Sequence, residues 1–493
     1  IQSASMNKIK KLEGRQESFS KEKIINSIYM AAQNVGGTDK ALAKVLGNQV
    51  TSLLKTKYPN GEVVQSSEVG ELVEKVLIEN GHARTAKAFI LYRENKKHLH
   101  QDKSSLGIED DIGLPYNTLY ILKQRYLRRT EDGKVAETPA GMIDRVAKFL
   151  AQAEKGKKKR QEWYAKFKEI MTSFDFLPGS RTLTNAGKAR PQLANCFVWP
   201  VIDDINEVFS VLHKSTLIKK HGGGCGYNFS NIRPEGDVVG GVPDLAAGPV
   251  KMIEMFNLMT SLFRQEGKYE SGNMAIVNAN HPDIFNFISA KQSDGYLAKT
   301  NISVGITDEF MKAAIAGKNW DLVNPRTGKV VNTVNAKSIL DLMATMAWQT
   351  GDPGIINLSA INKGTAQANP LLKKRGPIVA TNPCGEVPLY PYESCNLGYV
   401  NFTNFVKGKR FDFERLAKVM RVAVRLMDNV IEASWFPVPE VAKAVRDHRR
   451  IGIGAVGWAE ALTRLDIPYD SPKAITLASK VVKAMYDNAF DES

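Results

Sequence analysis

Thr381–Asn396 reads TNPCGEVPLYPYESCN, and the rest of the chain is organised around it. Asn382, Cys384 and Glu386 stand at alternating positions. In an extended piece, alternate side chains share one face, so an amide, a thiol and a carboxylate are expected to point the same way into a cavity. Cys395 follows eleven residues after Cys384. Two cysteines, a carboxylate and an amide this close make a poor core segment and a good reactive one. Pro383 and Gly385 interleave the polar residues, which suits a tightly fixed, irregular loop better than a long ladder.

Composition sets the bounds. The 493 residues allow several domains and a sizeable core. Hydrophobic residues at 43% and charged residues at 24% describe an ordinary globular chain. No apolar run reaches transmembrane length and no signal-peptide core precedes the fold, so no membrane partner and a cytoplasmic location are expected. The net charge of +15 points to anionic partners, and nucleic acid, nucleotides and a solvated surface all fit it. No nucleic-acid module is recognisable, so no nucleic-acid partner is expected. The four cysteines, Cys196, Cys225, Cys384 and Cys395, form no CxxC pair. They are too few for a disulfide scaffold or a zinc ribbon. The seven histidines show no metal-ligand spacing, so no protein-held metal is expected.

Residues 6–100 read as a small, mostly helical domain. A short strand at Lys8–Lys11 precedes a helix capped by Ser20, with Ile24, Ile28, Ala31 and Val35 inward. A second helix is predicted from Thr38, with Leu42, Val45, Leu46 and Leu53 inward. A third is predicted from a Ser67 cap, and a fourth from about Ala83 to Lys97. Residues 101–175 read as helical and connecting, and the basic run Lys155–Arg160 as a solvated helix end. From Phe176 to Ser493, Gly-punctuated apolar pieces alternate with helical patterns, which argues α/β with much parallel sheet. Gly222–Gly226 lacks the ending of a Walker loop and the spacing of a dinucleotide fingerprint. It reads as a sharp turn or a close backbone approach.

Two stretches of the first segment, IKKLEGRQESFSKEKI and SSEVGELVEKVLIENGHARTAKAFILYR, resemble the ATP-cone domain. The resemblance implies that Lys10, Lys11 and Lys23 meet the triphosphate of ATP or dATP, with Arg15 and Arg93 as weaker candidates. Several cations near a helix start suit a polyphosphate.

Cys196-Phe197-Val198, GGGCGYNFSNIRP, Asn382–Glu386 and LPGSRTLTNAG (177–187) together resemble the catalytic subunit of ribonucleotide reductase, class II, the adenosylcobalamin-dependent class. The fold this implies is a ten-stranded α/β barrel, incomplete in this chain, behind a mostly helical ATP cone. The activity it implies is reduction of ribonucleoside di- or triphosphates by a thiyl radical. Cys384 would carry the radical, Glu386 would act as base on the 3′-hydroxyl, and Asn382 would hold the ribose. Cys196 and Cys395 would give two electrons and end as a disulfide, which needs their Cα atoms within roughly 7 Å. Cys225 reads as inert filler. Ser180, Asn195 and Gly224 fall at substrate-binding positions. Asp203, Asp204, Ile205 and Arg233 fall at the specificity site for deoxynucleoside triphosphates, which the family places at a homodimer interface. A thioredoxin-like protein is the expected reductant.

RRIGIGAVGWAEAL (449–462) resembles a mid-barrel segment of the family. The later phosphate loop and cysteine-bearing tail are not among the 493 residues, so the chain is read either as a fragment or, the favoured reading, as one part of a split enzyme whose second polypeptide supplies the rest of the barrel. Two other readings stay open. One is a class I-type large subunit whose radical comes from a separate metal-containing subunit. The other is a non-catalytic, ATP-sensing protein.

Overall fold

The computed structural model describes residues 8–10, 16–59, 62–265, 269–363 and 376–493. The chain divides into two compact units, residues 1–120 and 121–493.

In the first unit, helix Lys21–Gln33 starts at Ser20, whose Oγ accepts from Lys23 N at 3.4 Å. Its buried stripe is Ile24, Ile25, Ile28 and Ala31, whereas Val35 lies beyond the helix end and is exposed. The next helix, Lys40–Lys57, departs from expectation. Asp39, not Thr38, caps it, accepting from Leu42 N at 2.9 Å. Side-chain azimuths follow sequence spacing at about 100° per residue wherever a helix begins, so packing selects the buried face. That face is Ala43, Leu46, Val50 and Leu54, while Leu42, Val45 and Leu53 are 38%, 53% and 39% exposed. Helix Ser66–Glu79 begins after Gln65 without a side-chain cap, so Ser67 lies inside it. Helix Ala83–Ser105 follows. Strands β1 (Lys8–Lys10), β2 (Gln16–Ser18) and β3 (Val64–Gln65) form a small sheet in the order β2-β1-β3.

The second unit is built on one large sheet. Its strands are β4 (Phe176–Pro178), β5 (Cys196–Trp199), β6 (Gly224–Asn228), β9 (Asn273–Asn278), β10 (Thr300–Ile306), β13 (Gly354–Asn357), β16 (Ser394–Asn401) and β19 (Ile451–Val456). Short hairpins flank it: β7 (Arg264–Gln265) with β8 (Tyr269–Glu270), β11 (Asn319–Val323) with β12 (Val330–Asn335), β14 (Ala380–Thr381) with β15 (Pro388–Leu389), and β17 (Val406–Lys407) with β18 (Arg410–Phe411). The order is β13-β10-β9-β6-β5-β16-β19, with β4 added antiparallel to β16. β13 to β5 run parallel, β16 and β19 run parallel, and the two blocks meet antiparallel where β5 pairs β16.

Strands such as NMAIVN and TNISVGI are apolar almost throughout because both faces of a parallel sheet are covered. Phe197, Tyr227, Phe229, Phe256, Val277 and Val304 form the core under the outer helices. Helix Pro139–Ala151 belongs to this unit and packs on the long helix Phe413–Ala433. Between them Arg425 and Asn429 hold the buried Glu154 carboxylate, which their contacts keep below its ordinary pKa despite burial.

Candidate active site

The TNPCGEV stretch is a hairpin tip rather than an extended run. β14 and β15 pair Ala380 with Leu389 and Thr381 with Pro388. Between them Asn382 N donates to Val387 O (3.1 Å), Val387 N to Asn382 Oδ1 (3.0 Å) and Gly385 N to Asn382 O (3.1 Å). Gly385 takes φ +87°, which a residue with a side chain rarely adopts. The expected common face of Asn382, Cys384 and Glu386 is therefore wrong in detail. Asn382 is wholly buried, while Cys384 and Glu386 stand exposed at the tip.

The Gly-rich stretch explains how this hairpin docks. A Cβ on Gly226 would lie 1.7 Å from Thr381 O, and one on Gly224 would lie 2.6 Å from Pro383 Cγ. Only glycine lets the loop backbone come so close. Asn301 Nδ2 donates to Pro383 O at 2.8 Å, and Asn228 Nδ2 to Val379 O at 2.6 Å. Lys219 lies under the same strands, wholly buried, donating to Asn273 Oδ1 (2.5 Å) and Gly272 O (3.3 Å). Burial pushes its pKa down.

The two cysteines expected to form the redox pair meet. Cys196 and Cys395 are direct partners across the antiparallel β5–β16 seam. Opposed residues in such pairs have Cα atoms about 4.5–5.5 Å apart, inside the disulfide range. Both are free and buried. Asn382 Nδ2 donates to Cys196 Sγ at 3.4 Å, so the hairpin reaches the seam. Burial pushes the Cys196 thiol up to about 12, with the Asn382 contact opposing and Glu386 adding to the rise. The Cys395 thiol also goes up to about 12, through burial and the neighbouring Cys196. Cys384 rises for the same first reason, partial burial, and then through Glu386. Cys225 pairs Phe197 in register and is buried in the core.

Of the softer candidates, Ser180, Asn195 and Gly224 come together. Asn195 Nδ2 donates to Ser180 Oγ at 3.5 Å, and Gly224 N donates to Asn195 O at 2.8 Å. Arg233 Nε donates to Asp203 Oδ2 at 2.7 Å and its Nη1 to Val238 O at 2.8 Å. Asp204 is committed as a helix cap, accepting from Asn206 N and Glu207 N, and Ile205 is exposed on the first turn. In the first unit Lys10 is exposed on β1 and Lys23 Nζ pairs with Glu17 at 2.7 Å. Arg93 is held by Glu74 and Ser67 O. Lys11 and Arg15 lie outside the described residues.

Sequence reading missed several groups around the seam. Asn301 is one. Tyr399, on the Cys395 face of β16, is another, its ring lying against Gly454. Glu393, His448 and Arg450 form a third cluster. The only advance signal for it was Glu393 within YESCN and Arg450 before IGIG.

Residues 194–493 match the ribonucleotide reductase barrel domain, residues 113–191 the ribonucleotide reductase all-alpha domain, and residues 7–98 the ATP cone domain. With this barrel and this cysteine seam, the chain belongs to the ribonucleotide reductases, and it carries an ATP cone.

Among its relatives is the vitamin B12-dependent ribonucleoside-diphosphate reductase of Thermoplasma acidophilum, 37% identical over 99% of this chain and 71% of that protein. The protein of the same description from Mycobacterium tuberculosis H37Rv is 36% identical, over 99% of this chain and 68% of that protein. The ribonucleoside-diphosphate reductase large subunit of vaccinia virus is 27% identical, over 96% of this chain and 65% of that protein.

Proposed function

We propose that this chain reduces ribonucleotides by a thiyl-radical route with adenosylcobalamin as the radical source. The observation that carries the reading is the pairing of Cys196 with Cys395 directly beneath a docked loop that presents Cys384 and Glu386. The higher identity to the B12-named relatives than to the viral large subunit supports the cobalamin assignment. The chain's own groups suit such a partner, because Cys384 is exposed and stands free of the buried pair. Adenosylcobalamin, when bound, would supply radical-generating chemistry, and Cys384 would be the residue that faces it.

The remaining steps belong to this chain. Cys384 takes the 3′-hydrogen, and Glu386 accepts the 3′-hydroxyl proton. The buried Asn382 amide orients the ribose and Cys196. Thiols pushed to about 12 stay protonated, as donors to the departing 2′-hydroxyl must. Two S–H bonds break, one S–S bond and one 2′ C–H bond form, water leaves, and Cys384 and Glu386 return the 3′-hydrogen and the 3′-hydroxyl proton. A thioredoxin-like dithiol then restores the pair. Ser180, Asn195 and Gly224 bind substrate, a ribonucleoside diphosphate on the names of the relatives.

Asp203, Ile205 and Arg233 take a deoxynucleoside triphosphate effector. Ile205 and Phe209, with Leu258 and Leu262 on the neighbouring helix, are exposed apolar residues that suit a homodimer face there. Lys10 and Lys23 bind ATP or dATP in the cone, with Glu17 displaced from Lys23. Residues 6–100, 101–175 and 176–493 serve as cone, helical connection and catalytic barrel.

Among the described residues β13 and β19 each pair on one side only, and Ile355 and Val456 on them are exposed. These edges are seats for the strands that close the barrel, whether from the same polypeptide or a second one. No described helix is long and apolar enough to cross a membrane, and a cytoplasmic location is the setting we assign.

The test is deoxynucleotide formation from ribonucleoside di- and triphosphates with a dithiol, with and without adenosylcobalamin, the barrel-closing segment being supplied. Product only with adenosylcobalamin is expected. Product that instead needs a metal-containing subunit assigns the class I route. Nucleotide binding without product under every condition leaves an ATP sensor.

A further inference from the structure

Glu393, His448 and Arg450 form a buried ionic cluster that the chemistry above does not use. The Glu393 carboxylate is wholly buried. It accepts from Tyr390 N at 2.7 Å, from His448 Nδ1, and from Arg450 Nη2 at 3.2 Å. Burial pushes this carboxyl up, but the His448, Arg450 and Tyr390 contacts outweigh burial and hold it below its ordinary range.

The register aims the cluster at one sulfur. Glu393 lies one residue before β16 and two before Cys395. Arg450 and Gly452 are likewise two apart at the start of β19, where Asn396 pairs with Ile451. A Cβ on Gly452 would lie 3.3 Å from Cys395 Sγ. The Arg450 guanidinium reaches this neighbourhood through its contact with Glu393, two residues before Cys395. Its Nε is buried without a partner among the described residues, as is His448 Nε2.

Cys395 Sγ donates to Asn396 O at 3.3 Å, a bond only the neutral thiol can make. The other ionisable groups near Cys395 are Cys196 across the seam, Glu393 just before its strand, Glu386 from the hairpin and Tyr399 further along β16; the first three disfavour a thiolate, and Tyr399 is itself pushed up by burial and by these neighbours. Among the described residues acting on Cys395, Arg450 favours a thiolate. His448 touches Cys395 only through Glu393.

We propose that Arg450, fixed by Glu393 and His448, is the counter-cation that receives Cys395 as a thiolate when a dithiol opens the Cys196–Cys395 disulfide. This rests on the reading of those two cysteines as the redox pair. One reductant thiolate attacks the Cys196 sulfur, the S–S bond breaks, and its electron pair leaves on Cys395. The second reductant thiol then closes the reductant's own disulfide and releases Cys196. The two protons of the dithiol end on the two cysteines. Arg450 is a positioning residue, acting through Cys395.

The experiment oxidises the full chain with diamide and verifies the Cys196–Cys395 disulfide by peptide mass spectrometry. It then follows opening by dithiothreitol from neutral to alkaline pH. Arg450→Gln is expected to slow opening about tenfold, the size of effect one partly buried charge exerts. Arg450→Lys is expected to restore most of the rate. Glu393→Gln removes the opposing anion but keeps its acceptor, so opening should match or exceed the unmodified rate. If Arg450→Gln does not fold, the lysine and Glu393→Gln variants carry the same test.

A rate indifferent to the charge at position 450, or equal slowing by Arg450→Gln and Glu393→Gln without rescue by lysine, overturns the proposal. A disulfide that never forms in the unmodified chain overturns the redox-pair reading itself, and the proposal with it.

Discussion

The seam and the hairpin tip hold the same functional group in opposite settings. Cys196 and Cys395 are buried on paired strands, where register fixes both sulfurs and burial pushes both thiols to about 12. Cys384 is exposed at a turn whose position depends on glycines beneath it. The first setting suits stored reducing equivalents, which must not leak to solvent. The second suits a group that must meet a radical source and a substrate in turn. The difference teaches that one sheet holds cysteines in two unlike settings, set apart by register and burial on one side and by an exposed turn on the other.

The sharpest break of that comparison is Cys384→Ser. Turnover should fall to background while diamide still closes the Cys196–Cys395 disulfide, read by product formation and peptide mass spectrometry. Loss of both would mean the sites are not separable.

Gly226→Ala comes next. Its new methyl must displace the Thr381 backbone, which lies 1.7 Å from the Cβ position. A misplacement of about 1 Å at a reacting group costs about 100-fold in kcat. The disulfide should still form, because Cys196 and Cys395 are paired independently of the hairpin.

Alkylation by iodoacetamide should separate the two settings directly. A raised thiol pKa makes thiolate scarcer at any lower pH, and the thiolate is what reacts. Near neutral pH Cys384 should be labelled first, with its rate rising as the solution becomes alkaline. Cys196 and Cys395 should stay unlabelled until far more alkaline conditions, as tandem mass spectrometry would show.

The smallest effect is expected from Asn301→Ala, which removes one hydrogen bond, 2.8 Å long, to Pro383 O. Losing about 1 kcal/mol of loop positioning corresponds to about a fivefold lower kcat with KM little changed.

What the sequence made legible follows the same division. The Ser20 cap and the Ile24, Ile28, Ala31 stripe were readable because capping and helical period are local. The face of the following helix was not, because Ala43, Val50 and Leu54 form a second apolar stripe beside Leu42, Val45 and Leu53, and only packing on the neighbouring helices selects between them. Parallel sheet was readable from apolar strands alternating with helices. Pro383 and Gly385 did announce a tightly fixed irregular loop, but the shared face expected of Asn382, Cys384 and Glu386 failed because the turn at Gly385 breaks strand alternation. Gly224 and Gly226 declared a close approach without naming Thr381 and Pro383 as what approaches. The cluster behind Cys395 was out of reach, since its members come from the start of β16, the end of helix Pro439–His448 and the start of β19.

The antiparallel junction of the two parallel blocks carries one more consequence. Side chains on a strand alternate with a period of two, so a slip of one residue sends a thiol to the opposite face. A single insertion that shifted β5 against β16 would leave every residue of the site in the chain yet turn one sulfur outward. The thiol pair is thus intolerant of any change in phase between two short strands, however well the rest of the site is kept.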